Sequence, residues 1–306
     1  MRGIVPIVFI PFDAAGEIDE AGLRRVVRFE LEGGAHGIGV NGFASEAYKL
    51  SDAERQRAAQ VVADEVAGQV PLVIGVAAGS TQNAAAQLRD LAKLEPAMLM
   101  VLPPATMAYS ARSLVAHYVA LAELSPAPIM VQHSPHIPQY GHLPWAVEDL
   151  AEMAHQTSAI ASFKIEGPNA PATMRALKPL LPDQIGLFGG VGGISFLEEL
   201  EVGVAGVIPG VGFNEVFHSA WQAWLEGDAA RVRATLTHHQ PLVSAVSGSG
   251  HEFSLHARKR LAQRAGLIAH ATVRNPTDAP SEAQIEAVFA AADADELRIS
   301  RLARER

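Results

Sequence analysis

The chain has no cysteine. That excludes disulfides, thiolate metal sites and a cysteine nucleophile, and it suits a reducing cytoplasm, the expected location. A long hydrophobic run is missing as well. The apolar opening from Gly3 to Pro11 is too short to span a bilayer, lacks a small-residue cleavage pattern and runs straight into Asp13. It reads as a first buried strand. Blocks of like charge are also absent: 19% of residues are charged, the formal net charge is −9, and acids and bases are mixed along the chain. Neither nucleic acid nor a membrane is therefore an expected partner.

What is present is apolar volume, patterned. With 306 residues and 49% apolar content the chain can bury a large core, as one α/β barrel or as two smaller domains. The pattern chooses between them. Short runs rich in Val, Ile, Leu and Met fall near Ile4–Phe9, Gly37–Val40, Leu72–Val76, Met98–Leu102, Ile129–Gln132, Ile160–Ile165, Gly186–Phe188 and Gly206–Ile208. Between them lie stretches of helical spacing such as Glu20–Leu31, Asp52–Val66, Gln82–Lys93, Ala111–Leu124 and Trp145–His155, with Ser51 and Glu54 in a capping-box spacing. Eight such units predict a closed (β/α)₈ barrel over residues 1–226. After the eighth run the pattern turns helical throughout (Phe213–Glu226, Asp228–Val246, Glu252–Ala265, Ser281–Arg301), so residues 227–306 read as a helical extension packed on the barrel.

In such a barrel the active site lies where strands end and loops begin. Of five lysines, Lys49, Lys93, Lys178 and Lys259 stand in polar or helical surroundings, while Lys164 interrupts the apolar run Ala159–Ile165. Burial disfavours a charged ammonium, so a lysine there is a candidate amine for attack on a ketone; a lysine snorkelling from a strand end, or paired with Glu166, fits the same pattern. Ser162, Lys164 and Glu166 are spaced by two and share one strand face, with Glu166 placed to hold the ammonium or to move protons. The turn Gly42-Phe43-Ala44-Ser45-Glu46 offers backbone N–H groups for a carboxylate, and the glycines Gly189 and Gly190 let a ligand approach the backbone after the seventh strand. That second cluster lacks the spacing of a dinucleotide fingerprint. Gln132, His133, His136 and His142 follow the fifth strand. A metal reading of these histidines has no helix-borne pair or acidic ligand behind it, whereas His133, directly at a strand end, is a candidate proton carrier. His238 and His239 fall in a helix and receive no role.

Taken in order, Gly42-Phe-Ala-Ser-Glu46, Leu102-Pro-Pro104, Gln132-His-Ser-Pro135, Phe163-Lys-Ile-Glu166 and Gly189-Gly-Val-Gly-Gly-Ile194 resemble the motifs of the dihydrodipicolinate synthase and N-acetylneuraminate lyase family across nearly the whole chain. The resemblance implies a (β/α)₈ barrel with helical extension, assembled as a dimer or tetramer. It also implies an imine between Lys164 and pyruvate or another 2-keto acid, with no cofactor, the substrate carboxylate being held on the N–H groups of Ala44 and Ser45. The departures are informative. Where the family carries a tyrosine relay, a threonine and a second tyrosine, this sequence has Gln132, Phe43 and Thr106, and Pro135–Gly141 contains no arginine. Those replacements resemble branches acting on 2-keto-3-deoxy sugar acids by dehydration or retro-aldol cleavage. Pyruvate aldol condensation, a non-catalytic keto-acid sensor or partner subunit, and a metal-dependent aldolase are the rival readings.

Overall fold

The computed structural model describes residues 1–305, in which strands and helices alternate from the first strand onward. The first half runs β1 (Gly3–Ile4), α1 (Glu20–Glu32), β2 (Ile38–Val40), α2 (Asp52–Val66), β3 (Leu72–Val76), α3 (Thr81–Leu91), β4 (Met98–Val101) and α4 (Ala111–Leu124). The second half continues with β5 (Ile129–His133), α5 (Val147–Gln156), β6 (Ile160–Ile165), α6 (Ala170–Leu177), β7 (Gly186–Gly189), α7 (Phe196–Val202), β8 (Gly206–Val207) and α8 (Asn214–Leu225). Side-chain caps start several helices where the sequence placed them. Asp19, Ser80 and Ser110 each accept a backbone N–H of the first turn, and Ser51 and Glu54 form a reciprocal capping box.

All eight strands are parallel, in the order β1-β8-β7-β6-β5-β4-β3-β2. Ile7 closes the ring by bridging both Gly210 and Gly39, supported by the Gly39 N–H to the Pro6 carbonyl at 2.8 Å. The fold is thus a (β/α)₈ barrel. The first strand is far shorter than the predicted Ile4–Phe9, because Pro6 has no N–H to give the ladder and leaves Ile7 as an isolated bridge. Inside the barrel, Val5, Ile7, Val73, Met98, Met100, Met130, Phe188 and Ile208 pack as one cluster, while a second, larger apolar layer separates sheet from helices. These side chains fill the interior, and cavities open at its two ends.

Four further helices follow the barrel: α9 (Ala229–Ser247), α10 (His251–Arg264), α11 (Glu282–Ala294) and α12 (Arg298–Arg304). Ser281–Arg301, read from sequence as one helix, is broken. Glu296 takes a left-handed φ of 50°, and the buried Asp295 turns back to pair with His239 on α9, so the chain restarts at Leu297. Among the described residues no helix is long and apolar enough to cross a membrane.

Candidate active site

A cavity of about 120 Å³ opens at the C-terminal end of the strands, and Lys164 of β6 projects into it. Strand register sets its neighbours. Lys164 pairs with Gln132 on β5 and with Phe188 on β7, so these three stand in one layer, in which Phe188 belongs to the apolar cluster that fills the barrel. Lys164 is 4% exposed, and its amine lies 3.4 Å from Glu166 Oε1. The resting site is thus a buried ion pair.

Glu166 is fixed on both oxygens. Oε2 accepts from Gln132 Nε2 at 2.9 Å and from Ser134 Oγ at 2.5 Å, while Oε1 accepts the Val191 N–H at 3.2 Å. Burial alone would raise its pKa, but Lys164, His136 and the two side-chain donors outweigh that and hold it at about 2. The donor from Val191 depends on a costly backbone. Val191 has φ 46°, which crowds a β-branched side chain, and Gly192 and Gly193 continue the left-handed turn. Gly190 needs its missing Cβ, since a methyl there would stand 2.1 Å from Glu166 Oε1.

Not every residue singled out by the sequence reaches this cavity. Phe43 and Ala44 line it, and the Phe43 and Ala44 N–H groups have no acceptor among the described residues. Ser45 does not line it: its hydroxyl donates to the Val8 carbonyl at 2.6 Å, its N–H is taken by the Gly42 carbonyl, and it is fully buried. Gly42 shapes the turn, its α-carbon facing Ile7 and Met100. Glu46 is a second correction. It is buried beneath the turn, where Oε1 meets Lys259 Nζ at 2.5 Å and Oε2 accepts the Arg274 N–H at 3.0 Å. It ties the turn to the C-terminal extension and does not line the cavity.

Ser162 shares the face of Lys164 but not its height. Two residues along a strand is about 7 Å, and the Ser162 hydroxyl donates to Met98 Sδ at 2.8 Å, toward the opposite mouth of the barrel. His133, one residue past Gln132, points to the outer face, where its ring stacks on Trp145 at 5.9 Å. Gly189 touches the cavity no more closely; its missing Cβ makes room for Glu199 of α7, behind the sheet. The loop histidines diverge, with His136 on the cavity wall and His142 exposed.

The structure adds residues that no strand-end pattern marks. His136 comes from the loop after β5, and Ser247, His251, Ser254, Leu255 and Arg258 come from α9 and α10. Burial pulls both His136 and His251 below the ordinary histidine value, so each is a neutral imidazole at neutral pH. The His251 ring meets Phe43 and Tyr48, each at 5.9 Å, and Tyr140 packs on Phe43 at 5.9 Å, closing one side of the mouth with aromatic rings. For His251 a faint signal existed, a histidine just after Gly248-Ser-Gly250.

Comparison with known proteins follows the same lines. The model of the dihydrodipicolinate synthetase family matches residues 1–294. The chain is 31% identical over 281 residues to an L-2-keto-3-deoxyarabonate dehydratase of Azospirillum brasilense, covering 90% of this chain and 88% of that protein. It is 30% identical over 237 residues to a 4-hydroxy-tetrahydrodipicolinate synthase of Methanopyrus kandleri, covering 76% and 77%. Among solved structures, the 4-hydroxy-tetrahydrodipicolinate synthase of Methylacidiphilum fumariolicum superposes with a TM-score of 0.88 over 99% of both chains at 20% identity. Dihydrodipicolinate synthase of Aquifex aeolicus gives 0.88 over 97% and 99%, also at 20%. At that identity these structures speak for the fold.

Proposed function

Since the chain belongs to the dihydrodipicolinate synthetase family, a family of lyases, we propose that it dehydrates a 2-keto-3-deoxy sugar acid through an imine on Lys164. One observation carries the reading: a buried lysine on the wall of a cavity, its amine 3.4 Å from a carboxylate pinned by three further donors. Glu166 Oε1 takes a proton from Lys164 as the nitrogen attacks C2, and returns it to the carbinolamine hydroxyl, which leaves as water. The iminium then draws electrons from C3. Glu166, beside the nitrogen, removes the C3 proton, and the neutral His136 on the cavity wall relays it to the departing C4 hydroxyl, which leaves as water. The Phe43 and Ala44 N–H groups hold the C1 carboxylate.

Gln132 fills the place of a phenol in this scheme. It cannot shuttle protons, but its amide and the Ser134 hydroxyl fix the carboxylate that does. The same imine supports retro-aldol cleavage or pyruvate condensation, and the identity of the 31% relative favours dehydration. Borohydride with pyruvate, followed by peptide mass spectrometry, is expected to mark Lys164, and Lys164→Ala to abolish the mark. A panel of 2-keto-3-deoxy acids is expected to yield dehydrated semialdehyde; pyruvate as product would make the chain an aldolase, and no product from any would leave a binding protein. Chelator sensitivity with an active Lys164→Ala would transfer the chemistry to a metal. The assembly proposed is a dimer or tetramer, read by sedimentation.

A further inference from the structure

Arg258 is a cation with no acid to answer it. It stands on α10, is 5% exposed and forms part of the wall of the Lys164 cavity. Nε donates to Ser254 Oγ at 3.2 Å, Nη2 to Ser247 Oγ at 3.0 Å and Nη1 to the Val211 carbonyl, while Phe213 stacks 5.0 Å from Cζ. A guanidinium carries five N–H donors, so one on each terminal nitrogen is left without a protein acceptor. No described carboxylate is paired with it. Glu30, the acid whose charge it feels, is itself pushed up to about 7 by burial, with one oxygen taken by the Gly212 N–H. Arginine is seldom buried without a partner, and spare donors on a cavity wall are places for ligand oxygens.

Its position says which oxygens. A Cβ on Gly192 would lie 3.2 Å from Nη2 and one on Gly210 would lie 2.8 Å from Nε, so the guanidinium rests against the turns that follow β7 and β8. The Phe43–Ala44 turn follows β2, across the mouth from Lys164 on β6. A ligand held at C2 by the lysine with its carboxylate on that turn must send the rest of its chain elsewhere, and the β7–β8 flank is where a strong donor waits. We propose that Arg258 determines specificity by hydrogen-bonding an acceptor oxygen at the far end of the substrate's carbon chain, either a terminal hydroxyl or a second carboxylate. This selects 2-keto acids with polar tails over apolar ones, and it rests on the imine reading above.

The test is half-saturation of the borohydride-trapped Lys164 adduct by pyruvate, 2-ketopentanoate, 5-hydroxy-2-ketopentanoate and 2-ketoglutarate, in the wild-type chain and in Arg258→Met. In the wild type, at least one oxygen-tailed acid is expected to half-saturate about tenfold or more below 2-ketopentanoate, about 1.4 kcal/mol, and the tighter of the two identifies the tail. Arg258→Met is expected to erase that ratio while leaving pyruvate within about threefold. Equal affinities in the wild type overturn the proposal even if the variant does not fold. So does a variant that weakens pyruvate and tailed acids by one common factor, since the arginine would then serve the C1 carboxylate or the scaffold. Adduct with pyruvate but no tail discrimination refutes this inference alone, and no adduct with any acid refutes the imine reading with it.

Discussion

Glu166 is the residue on which the proposed chemistry turns, and its surroundings make it testable at single-atom scale. Glu166→Gln keeps the shape and removes the base; kcat is expected to fall by about 10²- to 10⁴-fold, with pyruvate still trapped slowly on Lys164. Gly190→Ala is expected to lower kcat without removing any polar group, because the new methyl must displace the Glu166 carboxylate. A variant as active as the wild type would mean that the pinned position is immaterial. The pH profile separates the acids. Glu166, held at about 2, stays ionised throughout the working range, whereas His136 gains its proton somewhere below 6.5. An acid limb of kcat/KM below pH 6.5 that disappears in His136→Gln would identify the histidine as a proton carrier, and a limb unchanged by that substitution would acquit it. The sequence exposed Lys164 and Glu166 because a charged pair in a Val/Ile-type strand is anomalous by itself. It favoured His133 over His136 as the proton carrier, whereas His136 is the one on the cavity wall, since the choice depends on which way a loop turns after the strand.

Elements show where local pattern stops being informative. Strand β6 and the residue after it present Ser162, Lys164 and Glu166 on one face as alternation demands, yet only the last two reach the cavity, because a shared face says nothing about height along the barrel axis. The turn after β2 holds its shape through Glu46, whose partner Lys259 lies on α10, and both are fully buried. Burial pulls Lys259 down to about 8 despite that partner. Glu46→Ala would strand the ammonium, and a loss of about 3–5 kcal/mol is expected by urea denaturation; a change in keto-acid affinity with undiminished stability would instead restore Glu46 to the binding site. Helix α7 carries the opposite case. Glu199 packs behind β7 with Oε2 unpartnered, and burial, reinforced by Glu166 and Glu198, pushes it up to about 8. A folded pKa above the ordinary 4.5 means the folded chain binds the extra proton, so stability from this group is complete below pH 4.5 and is lost as pH rises through about 8. Glu199→Met is expected to be the more stable protein at pH 8 by on the order of 2–4 kcal/mol, with the gap narrowing at pH 5. A gap independent of pH would show that the carboxyl is not held neutral.

At the scale of the whole molecule, barrel and extension make one site. The strands bring Lys164 and Gln132, the loops bring Glu166, His136 and the Phe43–Ala44 turn, and α9 and α10 bring Ser247, His251 and Arg258. A chain ending at residue 226 is therefore expected to lose adduct formation even if some barrel structure survives, as circular dichroism and borohydride trapping would show together. By itself the sequence determined the alternation of strand and helix, the barrel class and the anomalous lysine, because hydrophobic period, helix caps and a charge in an apolar run are all local signals. Ring closure at Ile7, the layer that admits Gln132 and rejects Ser162, and the pairing of Glu46 with a lysine 213 residues away were decided only by tertiary structure. Register and long-range burial fix which polar groups meet, and no local spacing encodes either.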